Sequence, residues 1–103
     1  MMETAEDIRI AAQSEDVPGI ERVPGVCGGY PVLAGTRFPV RSIVAYLRVN
    51  AWGIDEFLAN FPHLRREQVE AALVYYARRP ELIEEDIRRN EEARQALMQT
   101  PNP

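Results

Sequence analysis

The stretch GGYPVLAGTRFPV, from Gly28 to Val40, constrains this chain more than any other, because turn, strand and helix start are all specified within it. Gly28-Gly29 supplies the positive φ of a tight reversal, and Pro31 excludes helix immediately after it. Val32 and Leu33 then read as a short strand that Gly35-Thr36 closes. Pro39 is pre-set for the first position of a helix, where its missing N–H costs nothing. The glycines are expected to serve as turns. A phosphate-cradling loop would place them before a helix carrying a lysine, and the chain has no lysine.

A chain of 103 residues builds one domain with one modest core. No apolar run reaches the ~20 residues of a membrane span, and the acidic start METAEDIRI is unlike a signal peptide, so a cytoplasmic, membrane-free protein is expected. A single cysteine, Cys27, makes no internal disulfide, and with His63 as the lone histidine it makes no four-ligand zinc site. No cofactor or metal is expected. An enzyme built on Cys27, His63 and a carboxylate is disfavoured, since nothing in the sequence places His63 to activate the thiol.

Ahead of the opening stretch, residues 1–19 read as a flexible N-terminal arm. Residues 20–26 alternate apolar and polar and read as a strand broken at Pro24, pairing with Val32-Leu33 in a hairpin. From Pro39 the apolar period lengthens to about 3.6. Val40, Ile43, Val44 and Leu47 predict a first helix over 39–49, ended by Asn50 to Gly53. Ile54, Phe57, Leu58 and Phe61 predict a short second helix that Pro62 stops. Val69, Ala72, Leu73 and Tyr76 predict a third over 65–79. Trp52, Tyr75 and Tyr76 are expected in core or dimer packing rather than on a ligand. Beyond Pro80, an acidic fourth helix over 81–98 is supported by Glu84/Arg88 and Glu85/Arg89 pairs, and residues 100–103 form a disordered tail.

The fold expected is therefore mainly α. A homeodomain-like three-helix (helix-turn-helix) core with a short N-terminal β-hairpin occupies 20–80, and an additional C-terminal helix and tail occupy 81–103.

Charge is unevenly laid out. Residues 1–36 sum to −4, 37–79 to +3 and 80–103 to −3, and all twelve basic residues are arginine. If the third helix reads DNA, its N-terminal Arg65, Arg66 and Gln68 meet base edges or phosphates, while Arg37 and Arg41 hold flanking phosphates. Glu67 and Glu70 oppose this. Arg65 also stands where a capping Ser or Thr would accept an amide, which weakens the helix start by ~1 kcal/mol.

Taken together, GGYPVLAGTRFPV, the turn Phe61-Pro62-His63-Leu64 and the run EAALVYYARRPELIEEDIRRNEE make residues 20–92 resemble the DUF433 family, which is similar to the helix-turn-helix domain of VapB-type antitoxins. That resemblance implies an antitoxin whose partner is a PIN-like ribonuclease toxin, with repression of its own operon through operator DNA as a second role. A homodimer is expected, because helix-turn-helix modules commonly read paired half-sites. Residues 81–98 are then either a solvated helix packed by Leu82, Ile83 and Ile87 alone or the toxin-docking segment, with Ile87, Ala93 and Leu97 as apolar anchors and Arg88, Arg89 or Arg94 entering the nuclease pocket. The second class is the small Cys27/His63 enzyme disfavoured above, and an intermediate alternative is a protein-only adaptor that keeps the fold and does not bind DNA.

Overall fold

The computed structural model of the chain describes residues 13–14 and 16–99, with side chains from 16 to 98. Three short strands, β1 (Gln13–Ser14), β2 (Ile20–Arg22) and β3 (Val32–Leu33), form an antiparallel sheet in the order β1-β2-β3. The expected hairpin is β2 against β3, with Ile20 opposite Leu33 and Glu21 opposite Val32. β1 adds an edge strand, Ser14 opposite Glu21. The described part of the expected arm therefore belongs to the domain, and Val17 within it is buried in the core; residues 1–12 lie outside the described residues.

Between β2 and β3 the chain makes one 3-10 turn at Cys27–Gly29, where Gly28 and Gly29 take φ of 67° and 81°. After β3 a second reversal is held by side chains. The Thr36 hydroxyl donates to the Leu33 carbonyl at 2.8 Å and accepts from the Phe38 amide at 3.0 Å, while the Glu21 carboxylate accepts from the Gly35 amide at 2.9 Å. The chain then returns along β3, so Pro39 bridges Val32 and precedes the first helix instead of opening it. In the N-cap position it still donates no amide that would need a partner.

Helix α1 (Val40–Asn50) buries Val40, Ile43 and Val44. It ends on Ala51, whose φ of 55° is left-handed, with the Trp52 amide donating back to the Leu47 carbonyl at 3.1 Å. Helix α2 (Ile54–Asn60) starts at Gly53, where the Glu56 carboxylate accepts from the Gly53 amide at 2.9 Å, and Phe57 is its buried residue. Helix α3 (Arg66–Arg78) buries Val69, Ala72 and Tyr75. Tyr75, not Tyr76, is the deep aromatic. Tyr76 is half-buried because its hydroxyl meets the Glu84 carboxylate at the rim, beside Arg48.

Helix α4 (Pro80–Gln99) follows after Arg79 alone, and Pro80 opens it rather than breaking the chain. Its first half is part of the core. Ile83 is fully buried, worth about 1.5–3 kcal/mol for a side chain of this size. One turn further, both carboxylate oxygens of Asp86 accept from Arg41 Nη1 at 3.1 Å, with side-chain exposures of 5% for Asp86 and 18% for Arg41. Burial raises the Asp86 pKa and the Arg41 guanidinium opposes that shift.

Two stability outcomes follow from this packing. Arg41→Ala leaves a buried carboxylate without its partner and is expected to cost about 2–3 kcal/mol in urea unfolding at neutral pH. Ala51→Gly relieves a left-handed alanine and is expected to stabilise by about 0.5–1 kcal/mol in the same measurement.

Candidate partner and nucleic-acid interfaces

The first surface surrounds the link between α2 and α3. Leu64 is 7% exposed and anchors this link, its amide donating to the Phe61 carbonyl at 3.0 Å, so His63 is turned outward against the edge of the Phe61 ring. The rings of Phe38, Phe57 and Phe61 pack together beneath, with Tyr46 against Phe61 at 5.0 Å between centroids. Above them lies a shallow groove of about 410 Å³ whose rim carries Arg37, Ser42 and His63.

Of the five residues expected to contact DNA, the structure brings only some to this surface. Arg37 is exposed at the groove and Arg65 is exposed at the head of α3. Arg66 is half-exposed but ion-paired to Asp55 of α2. Gln68 is turned inward on its own helix, its side-chain oxygen accepting from the Arg65 amide at 2.8 Å. That bond supplies half of a capping box, so α3 gains from position 68 part of what Arg65 cannot provide. The Arg41 guanidinium is engaged with Asp86, as described above, and is mostly covered. The outward face of α3 carries Glu67, Glu70 and Val74, all exposed. This helix thus presents carboxylates, not a basic stripe, to anything approaching it.

The second surface is the outer half of α4. From Arg88 to Met98 every residue is exposed except Glu91, which is partly covered. Arg88 pairs on its own helix with Glu85 at 2.8 Å and Glu92 at 2.6 Å, and Arg94 with Glu91 at 2.6 Å. These partners hold the carboxylates of Glu85 and Glu91 below their usual range, Arg88 acting on the first and Arg94 on the second. Arg89 is exposed. Ile87 is partly buried against the core with Leu82 and Ile83, as the solvated-helix reading expects, and is not a free anchor, because it follows Ile83 and Asp86 down the same helix face. Leu97 remains 78% exposed and Met98 71%.

Between this outer half and α1 runs a cleft of about 520 Å³, lined by Ser42, Ala45, Tyr46, Val49 and Asn50 on one side and Asn90 and Arg94 on the other. None of the α1 residues was singled out by periodicity, which marks the core face alone. The signal that finds them is Val49, an apolar residue one turn past the core-facing set and 81% exposed. Among the described residues no group of His, Cys, Asp and Glu is placed to hold a metal ion, and no helix is long and apolar enough to cross a membrane. The Cys27 thiol donates to the Arg37 carbonyl at 3.3 Å.

Residues 20–76 match the family described as "Protein of unknown function (DUF433)". The fold is similar to the crystal structure of a DUF433 member protein from Anabaena variabilis ATCC 29413, at 43% identity and a TM-score of 0.61, covering 67% of each chain. No curated protein matches.

Since Arg65 and Arg66 sit on the surface with carboxylates no closer than an exposed ion pair, Arg65→Ala and Arg66→Ala are each expected to change unfolding free energy by less than about 0.5 kcal/mol. Chemical denaturation of the two variants checks this and clears them for binding assays.

Proposed function

The chain belongs to the DUF433 family, and from that membership and the geometry of its two surfaces we propose that it is a regulatory binding protein of antitoxin type, acting by holding a PIN-like ribonuclease and not by catalysis. The observation that carries the reading is the outer half of α4, a helix that leaves the core with its charged groups exposed. PIN-like nucleases gather carboxylates around a catalytic metal, and a guanidinium seated among them would neutralise those ligands. Arg88 and Arg89, on the face of α4 turned away from α1, are the groups for that contact. Arg88 would exchange its two surface pairs for the nuclease carboxylates, a small loss because exposed pairs contribute little.

One observation favours operator binding as a second reading. Arg37 and His63 share a groove, and Arg65 follows His63 by two residues, all three exposed. Opposing it, Glu67 and Glu70 repel phosphates from the face of α3, and Arg41, Arg66 and Gln68 are already engaged. The protein-binding half of the antitoxin role is therefore the better supported.

Co-expression with a PIN-like nuclease encoded next to this chain, followed by pull-down, tests the first reading. Arg88→Glu with Arg89→Glu is expected to abolish capture while leaving the circular dichroism melt unchanged, and undiminished capture would overturn the assignment. For the second reading, a mobility shift on the chain's own promoter at ~50 mM salt should vanish by ~200 mM if phosphates are contacted. Retention that survives Arg37→Ala with Arg65→Ala would place any DNA contact elsewhere.

A further inference from the structure

We propose that the cleft between α1 and the outer half of α4 is closed by the same helix of a second copy of this chain, giving an antiparallel α4–α4 dimer that does not use the helix-turn-helix surface. Three observations lead there. From Arg88 onward the described side chains of α4 are exposed except Glu91, so among the described residues this half of the helix gains little stabilisation from tertiary packing. Its i,i+3 and i,i+4 ion pairs contribute only about 0.2–0.5 kcal/mol each. Of the large apolar residues left exposed among the described residues, Val74 lies on α3, while Tyr46 and Val49 on α1 and Leu97 and Met98 on α4 belong to the walls of one cleft or to the helix turn that extends it.

The charge pattern identifies the occupant. Ile87, Glu91, Arg94 and Met98 recur at spacings of four, three and four, so they share the face that borders the cleft. When two such faces meet antiparallel, Glu91 stands opposite Arg94 of the second copy and Ile87 opposite Met98. Both relations are repeated by the two-fold axis, as an isologous contact requires. Arg88 and Arg89 lie off this face, so no like charges meet across the two-fold axis. Leu97 and Met98 of the second copy enter beside Tyr46 and Val49, and the cleft has room for several such side chains. Arg88 and Arg89 remain on the outer face.

Sedimentation equilibrium of the full chain alone tests this. A dimer is expected at about 100 μM, as for a dissociation constant in the micromolar range. Leu97→Glu with Met98→Glu is expected to give a monomer with an unchanged thermal melt of the core. Glu91→Arg in one preparation and Arg94→Glu in another each create a like-charged pair across the two-fold and should run as monomers. Neither variant keeps the 91–94 pair within its own helix. Mixing them in equal amounts restores opposite charges across the interface alone and should restore the dimer. A wild-type monomer, a dimer that survives Leu97→Glu with Met98→Glu, or a mixture that stays monomeric would each overturn the proposal. None of these outcomes involves a nuclease or DNA, so they bear on this interface independently of the proposed function.

Discussion

Everything that distinguishes the surface of this protein depends on one buried ion pair, Arg41 with Asp86. Desolvating both groups is costly, and two hydrogen bonds at 3.1 Å from a single guanidinium nitrogen are what offset it. Hydrophobic burial of Ile83 holds α4 to the core without a fixed direction, because apolar contact is non-directional. The ion pair supplies the direction. It sets which turn of α4 meets which turn of α1, and therefore where the helix departs and where a cleft opens beside Ser42 and Ala45.

The same pair alters the charge ledger on which a functional reading rests. A middle segment carrying +3 looks like a phosphate-binding face when counted along the chain. In the folded protein Arg41, Arg48 and Arg66 are matched to Asp86, Glu84 and Asp55, and Arg78 and Arg79 to Asp16. Apart from the Arg66–Asp55 pair, basic residues from the middle thus draw on acids that lie toward the two ends of the sequence. What remains exposed for a partner is a small set: Arg37 and Arg65 near the α2–α3 turn, and the arginines of the outer half of α4, where Arg88 and Arg94 hold only exposed pairs along their own helix.

How much could be read in advance varies with the range of the interaction. The hairpin, the three helices of the core and their stops are local matters of period, glycine and proline, and they appear within a residue or two of where the pattern puts them. Cap chemistry was only half legible. Arg65 is a poor cap, but the return bond from Gln68 needs a side-chain rotamer that spacing alone does not specify. Period puts Tyr76 on the core face, yet it lies at the rim beside the buried Tyr75, because helical periodicity cannot separate adjacent positions at the edge of an apolar face and the Glu84 carboxylate meets the Tyr76 hydroxyl there. The first β-strand was missed because two residues, Gln13 and Ser14, carry no alternation to detect.

The order from β2 to α4, the core faces of α1 to α3 and the family are legible in the chain, since these follow from residue types acting on their own backbone and near neighbours. Which arginines are engaged across the fold, which of the two readings of Ile87 holds, and that Val49 of α1 is left exposed beside a cleft are set by tertiary packing. Those outcomes depend on pairs separated by tens of residues, Arg41 with Asp86 above all. A pairing of that kind is chosen by the whole fold, because its desolvation cost is recovered only when every packed element brings the two groups to the same place.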